Sequence, residues 1–389
     1  MELNDLYSPG TKLREVDPNF RGMDRKRWQL LKVTEQGREH LAALNANDAP
    51  IKRLTVEKDG AIGRVKMDNQ SRRNAMTLTM WQDLGKAIED FAADDSVRVI
   101  IISGEGGKAF CAGADISEFE KNRSSEEGVK IYNEAVEHSS ELLRTVDKPT
   151  IAKIEGFCVG GGVGIGCHAS HRIVGESSQI AMPECGIGLI PDVGGSLMLA
   201  RAPGRLGEYL GTTGARMDAG NAIYAGFADS YVPKEKWDAL TAALVNGGDV
   251  SVVDAFVQDA PESSMHAQQV DIDRHFDALD LSDVAVSLAS DPSEFAAQTL
   301  KMISKKSPLS VVATPALIAR VRAADTIEQA LAEEYKFTYR AAEFGDFVEG
   351  IKATIIDRNH TPNWRFATLA DVSQTDVNEM LAPLGANAL

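Results

Sequence analysis

The sequence predicts an α/β core followed by a mainly helical C-terminal region. Three observations support this. VRVIIISG and TIAKIEG are near-continuous apolar runs, the pattern of strands covered on both faces. Amphipathic helical stretches alternate with them. Beyond about Leu197 the strand signals thin out and helical periodicity takes over.

Residues 1–50 read as an extension. Within it RKRWQLLKVTEQGREHLAAL is helical in pattern, with Trp28, Leu30, Leu31, Leu41 and Leu44 as candidate buried residues of a packing or subunit-contact arm. The core occupies residues 51–245. RLTVEKDGAIGRVKM is a hairpin turning at Lys58-Asp59-Gly60, where Asp-Gly supplies positive φ angles. TLTMWQDLGKAIEDFAADD is an amphipathic helix with Met80, Leu84, Ala87, Ile88 and Phe91 on one face. GVKIYNEAVEHSSELLRTV is helical, and Pro149 opens the TIAKIEG strand. VGGGVGIG is a glycine turn into a helix ending near Ser170, and HRIVGE is a short strand. RLGEYLGTTG is a short helix closed by glycine, and AGNAIYAGFADSYVP a helix followed by a strand. Residues 246–389 form the helical region. Its 247–300 stretch is polar and acidic with turn signals at Gly247-Gly248 and Asp291-Pro292, and TIEQALAEEYKFTYRAAE and DFVEGIKATIID are helices.

Composition narrows the function classes. The 389 residues carry a net charge of −16, which argues against a nucleic-acid surface, since phosphate binding needs a basic stripe. No apolar run is long enough to span a bilayer, so no membrane partner is expected. The polar, acidic N-terminus has neither a secretory nor a transit-peptide pattern, and a cytoplasmic location is the expectation. Cys111, Cys158, Cys167 and Cys185 match no zinc spacing and read as buried free thiols. The histidines form no ligand cluster, so no metal is expected. His168 and His171 read as cations at a helix end.

Three loops carry the chemistry. GGKAFCAGADISEF (106–119) follows a buried strand and precedes a helical stretch. Its small residues Ala112, Gly113 and Ala114 admit a ligand to the backbone. GFCVGGGVGIGCH (156–168) repeats this architecture and opens a helix whose first N–H groups have no intrahelical acceptor. Two such donors, one per loop, suit a single developing oxyanion. A tight turn is the plainer account of either loop alone, and the second does not open the first βαβ unit of the chain as a dinucleotide fingerprint does. AMPECGIGLIPDVGGS (181–196) places Glu184 and Asp192 in apolar surroundings, where a carboxylate pKa rises and acid/base or nucleophilic work becomes available. The alternative roles are local backbone bonding for Glu184 and a helix cap near Gly194 for Asp192.

Taken together, KAFCAGADI, GGGVG and MPECGIGLIPDVGG resemble the three signature stretches of the crotonase (enoyl-CoA hydratase/isomerase) superfamily. The resemblance implies a ClpP/crotonase-like spiral of ββα repeats and an acyl-CoA thioester substrate. CoA then belongs to the substrate, and no separate cofactor is expected. It implies an oxyanion hole from the N–H groups of Ala114 and Gly161, flanked by Asp115 and Gly160, with Ala112 against the adenine and Lys108 near the phosphates. A homo-oligomer is implied too. PDVGG and the tail EEYKFTYRAAEFGDFVEGIKATIIDRNHTPNW most resemble the 3-hydroxyisobutyryl-CoA hydrolase branch, where the glutamate matching Glu184 attacks or activates and the aspartate matching Asp192 assists. The second glutamate of the hydratases falls on Gly164. The branch's acyl-pocket Glu-Tyr pair and nearby polar residue fall, ungapped, on Val136, Glu137 and Ser140, and a shifted alignment lets Glu137 or Glu134 serve as the acyl-pocket acid. A hydratase or isomerase, and a non-catalytic acyl-CoA-binding subunit, are the competing readings.

Overall fold

The structure is a computed structural model and describes residues 53–115, 126–278, 280–353 and 361–387. The expected N-terminal arm and residues 116–119 of the first loop lie outside these. Strands β1 (Leu54–Asp59) and β2 (Ile62–Met67) form the expected antiparallel hairpin around Gly60, whose φ of 58° lies in the left-handed region that glycine tolerates. Helix α1 (Leu78–Ala93) starts where the Thr77 hydroxyl accepts the Met80 N–H. It buries Met80, Leu84, Ala87, Ile88 and Phe91 as its periodicity requires, and Trp81 with them. Each such large side chain contributes roughly 1.5–3 kcal/mol by leaving water.

Then β3 (Val99–Gly104), β4 (Ala109–Cys111), α2 (Glu126–Thr145), β5 (Thr150–Ile154), β6 (Phe157–Val159), α3 (Gly161–Gly166), β7 (His171–Val174) and β8 (Gln179–Ala181) follow. Two further helices, α4 (Gly195–Arg201) and α5 (Leu206–Thr213), precede α6 (Ala219–Tyr224), β9 (Ser230–Tyr231) and α7 (Trp237–Gly247). From β3 onward, successive strands alternate between two sheets. One runs β1-β2-β3-β5-β7-β9, parallel from β2 onward, and the other is the parallel β4-β6-β8. Each repeat therefore contributes one strand to each sheet and then turns into a helix or loop. The segments around 109–111 and 157–159 were expected as loop, and Gln179 and Ile180 carried no assignment. All three places hold strands of three residues each, too short to display an alternating pattern.

The C-terminal helices are α8 (Ser264–Ala267), α9 (Gln269–Phe276), α10 (Leu281–Ser290), α11 (Glu294–Ile303), α12 (Pro308–Val321), α13 (Ile327–Ala341), α14 (Phe347–Ile351) and α15 (Gln374–Met380). The 247–300 stretch, expected as polar with turns, is largely helical. Its turn-like residues Ser263, Asp280 and Ser293 are N-caps accepting backbone N–H groups. Met265, Ile272, Phe276, Leu281, Val284, Leu288 and Ile303 join the same hydrophobic cluster as α1 and the strands. A second cluster unites α12, α13, α14 and α15 with Leu189, Ile190 and Leu197, which come from the third loop and the start of α4. That loop is thus clamped between the strand repeats and the C-terminal helices. Helix α3 ends at Gly166 rather than near Ser170, because Ser170 is drawn onto β5, its N–H donating to the Thr150 hydroxyl. Among the described residues no helix is long and apolar enough to cross a membrane.

Candidate active site

The first two loops meet. After β4, the Met76 N–H donates to the Gly113 carbonyl at 2.8 Å and the Asp115 N–H to the Met76 carbonyl at 2.7 Å. Bonds from the residues on either side turn the N–H of Ala114 to the opposite edge, where it meets no acceptor among the described residues. Gly161 is the first residue of α3, so its N–H has no intrahelical acceptor. A Cβ built on Gly113 (φ 95°) would lie 3.7 Å from the Gly161 nitrogen, and one on Gly161 3.5 Å from the Gly113 Cα. Gly113 is the position that requires glycine, by its φ and by the Val159 carbonyl oxygen 3.2 Å from a Cβ built there.

The flanking candidates occupy distinct places. Ala112 is half-buried, its N–H donating to the Arg73 carbonyl at 3.0 Å. Lys108 is exposed, and its carbonyl accepts the Phe157 N–H at 3.2 Å. Asp115 is buried, with both oxygens 2.7 Å from Arg72 Nη1, so its carboxylate anchors the loop from beneath. The Trp81 ring closes the other side of α3, with Cζ2 3.1 Å from a Cβ placed on Gly161.

Glu184 opens a short 3-10 turn, Glu184–Ile187, after β8. It is 5% exposed. A Cβ on Gly160 (φ 54°) would lie 3.0 Å from its Oε1, so this carboxyl borders the residue preceding the Gly161 donor. Its Oε2 is buried without a hydrogen-bond partner among the described residues. Burial, then the charge of Asp192, holds the Glu184 pKa well above the usual carboxylate range. Lys306, half-buried with Nζ 3.2 Å from a Cβ on Gly186, pulls it the other way.

Asp192 is half-exposed and precedes Val193, a β-branched residue held at φ 55°. Left-handed backbone costs such a residue about 1–2 kcal/mol. Its carbonyl accepts from His168 Nε2 at 3.0 Å. His168 is fully buried and burial drives its pKa down to about 4, which corrects its reading as a cation; it is a neutral donor fixing Val193. His171 is the first residue of β7, not a helix-end residue. Asp192 does not cap α4 with its side chain either. Gly194 is the N-cap, and the Glu334 carboxyl on α13 accepts the N–H groups of Gly194 (2.9 Å) and Ser196 (3.1 Å) and the Ser196 hydroxyl. Burial raises the Glu334 pKa to about 8. Glu137, half-buried on α2, is raised to about 9 by burial and then by Glu334 and Asp192.

Two features close the geometry. A Cβ on Gly164 would lie 2.8 Å from Val193 Cβ and 3.1 Å from Ser140 Oγ, so the space above position 164 is filled. The four cysteines are buried free thiols, with burial pushing Cys111 and Cys185 up to about 12. Sequence reasoning missed Glu334, Lys306 and Trp81. Glu334 had a signal, because it sits on the apolar stripe Ile327–Ala330–Leu331–Glu334 of α13, where an acid needs buried donors. Lys306, in a Lys-Lys pair before Ser-Pro, had none.

Comparison with known proteins places the chain in a family. The enoyl-CoA hydratase/isomerase family model matches residues 62–381. The chain is 34% identical over 350 residues to mouse mitochondrial 3-hydroxyisobutyryl-CoA hydrolase, covering 86% of this chain and 90% of the relative. It is 32% identical to the human protein of that name over 385 residues, 94% and 99% of the two chains. Among solved structures, an enoyl-CoA hydratase from Rhodobacter sphaeroides superposes with a TM-score of 0.83 at 41% identity, over 87% of this chain and 99% of that one. A carnitinyl-CoA dehydratase from Mycobacterium thermoresistibile gives a TM-score of 0.81 at 31% identity, over 86% and 97%. With seven successive strands, β3 to β9, alternating between two sheets among the described residues, and the loops between them meeting at Glu184, the chain belongs to the enoyl-CoA hydratase/isomerase (crotonase) family.

Proposed function

We propose that this protein hydrolyses a short, branched or hydroxylated acyl-CoA thioester of the 3-hydroxyisobutyryl type. The observation that carries the reading is the meeting of Gly113, Gly160 and Gly161 beside the buried carboxyl of Glu184, whose Oε1 borders Gly160 and whose Oε2 has no hydrogen-bond partner among the described residues. In this reading the thioester oxygen sits between the N–H groups of Ala114 and Gly161, which stabilise it as negative charge develops. Glu184 attacks the carbonyl carbon to give a mixed anhydride, expelling the CoA thiolate, or activates the water that does so. Water then releases the acid. Asp192 orients the acyl hydroxyl or assists protonation of the leaving thiolate. Lys108 and Ala112 face the nucleotide end, Gly160 lets Glu184 approach, Glu137 borders the acyl group, and Asp115 acts through the loop it anchors.

The filled space at Gly164 favours hydrolysis over hydration, because a hydratase of this family holds its water between two carboxylates. The test is thiol release from 3-hydroxyisobutyryl-CoA by the purified protein. Loss of enoyl absorbance without thiol would establish hydration instead, the activity for which its Rhodobacter sphaeroides structural relative is named. Glu184→Gln is expected to abolish turnover while CoA binding is kept; retained turnover would refute the assignment. Gly161→Pro, with proline acceptable at a first helical position, removes one donor and is expected to cost on the order of 3 kcal/mol in the barrier, with Gly161→Ala as control.

A further inference from the structure

We infer that Ser307 and Asp346 are positioning residues for Glu184, holding the turn that carries it from behind. This rests on the reading of Glu184 as the reacting carboxyl. The Ser307 N–H donates to the carbonyl of Cys185, the residue after Glu184, at 2.9 Å. The Ser307 hydroxyl donates to Asp346 Oδ2 at 2.7 Å and accepts the Ser310 N–H at 3.2 Å as the N-cap of α12. Asp346 Oδ1 accepts the Arg365 N–H at 2.6 Å. Ser307 is 0% and Asp346 4% exposed, so their mutual bond and the Ser310 bond are out of water, while the Arg365 bond at the end of the chain is partly buried. Buried polar chains of this kind fix geometry, because each partner left unpaired carries its full desolvation cost.

Packing makes the same connection independently. A Cβ on Gly350 of α14 would lie 2.2 Å from the Ile187 backbone, and one on Gly188 (φ 74°) 2.3 Å from the Asp346 carbonyl carbon. The Glu184–Ile187 turn and α14 are therefore in backbone contact with no side chain between them. The carboxyl of Glu184 has no hydrogen bond at Oε2 to hold it, so its direction depends on how this turn is seated.

The experiment is steady-state thiol release by the full chain and four variants: Ser307→Ala, Asp346→Ala, Asp346→Asn and the Ser307→Ala/Asp346→Ala double. Ser307→Ala keeps the backbone bond to Cys185 but frees Asp346. Ser307→Ala and Asp346→Ala are each expected to lower kcat about tenfold, as for a reacting group displaced by about half an ångström, with KM within about twofold. Asp346→Asn can still accept from Arg365 and exchange a hydrogen bond with Ser307, and is expected to recover most of kcat. The double variant is expected to be no worse than the poorer single one, because both break one chain. Folded single variants with kcat within about twofold of the parent, or with losses carried in KM, overturn the inference. Gly188→Ala adds a perturbation from the turn's side and is expected to give the same kcat-selective loss. Glu184→Gln, run alongside, separates the two levels: if it retains turnover, the catalytic reading itself fails, whereas if it alone is inactive, only the positioning role fails.

Discussion

Gly160→Ala tests the site with one methyl group. Position 160 has φ 54° and ψ −118°, a conformation that costs a non-glycine residue on the order of 1–3 kcal/mol. The new Cβ would lie 3.0 Å from Glu184 Oε1, short of ordinary van der Waals contact, while the nearest other atom, Gly113 Cα, is 4.0 Å away. The carboxyl end is the flexible partner, so it is the group that moves, by a few tenths of an ångström. A misplacement of 1 Å costs about 10²-fold in rate, so kcat is expected to fall by roughly three- to tenfold. The Gly161 N–H keeps its place, so KM should change by less than about twofold. The assay is thiol release from 3-hydroxyisobutyryl-CoA, with thermal unfolding followed in parallel. Gly160→Ala/Glu184→Gln should be no slower than Glu184→Gln alone. A variant with a lowered unfolding temperature but full kcat would refute the reasoning, because the carboxyl would have moved without consequence.

Four further outcomes are expected. Lys306→Met removes the cation that draws the Glu184 pKa down, so the acid limb of kcat/KM should shift to higher pH; an unmoved limb would refute this coupling. Glu137, raised to about 9, is protonated at neutral pH, so the neutral Glu137→Gln should keep kcat/KM within about threefold at pH 7, and a larger loss there would mean that the acid works as a carboxylate. Glu334, raised to about 8, keeps its proton in the folded chain after the unfolded chain has lost it, so its contribution is present below pH 4.5 and is lost as pH rises towards 8; Glu334→Gln should flatten the fall in unfolding temperature across that window. His168 acts in the opposite direction, since its folded pKa of about 4 lies below the unfolded value and stability is lost as pH falls from about 6.5 towards 4.

The larger elements were legible because their chemistry is local. Asp59-Gly60 sets the hairpin, and the spacing of Met80, Leu84, Ile88 and Phe91 sets α1. The second sheet was not, because strands as short as Ala109–Cys111 acquire their identity only from neighbours in later repeats. At the site, Glu184 and the two glycine loops stood out by composition. The cap on α4 did not, because Glu334 lies 138 positions beyond Ser196 and meets it only once α13 has packed. The charge state of His168 was also set at a distance, by the burial that the folded chain imposes and by the Val193 carbonyl.

The contact between Gly164 and Val193 bears on how such chains diverge. A glutamate at 164 meets Val193 at once, while trimming Val193 first leaves a hole in a close-packed interior. Neither half-step is free of penalty, so a change from one carboxylate to two at this place is expected to need both positions altered together. A lineage that has settled Val193 over this glycine is expected to explore new acyl groups more readily than new reaction types.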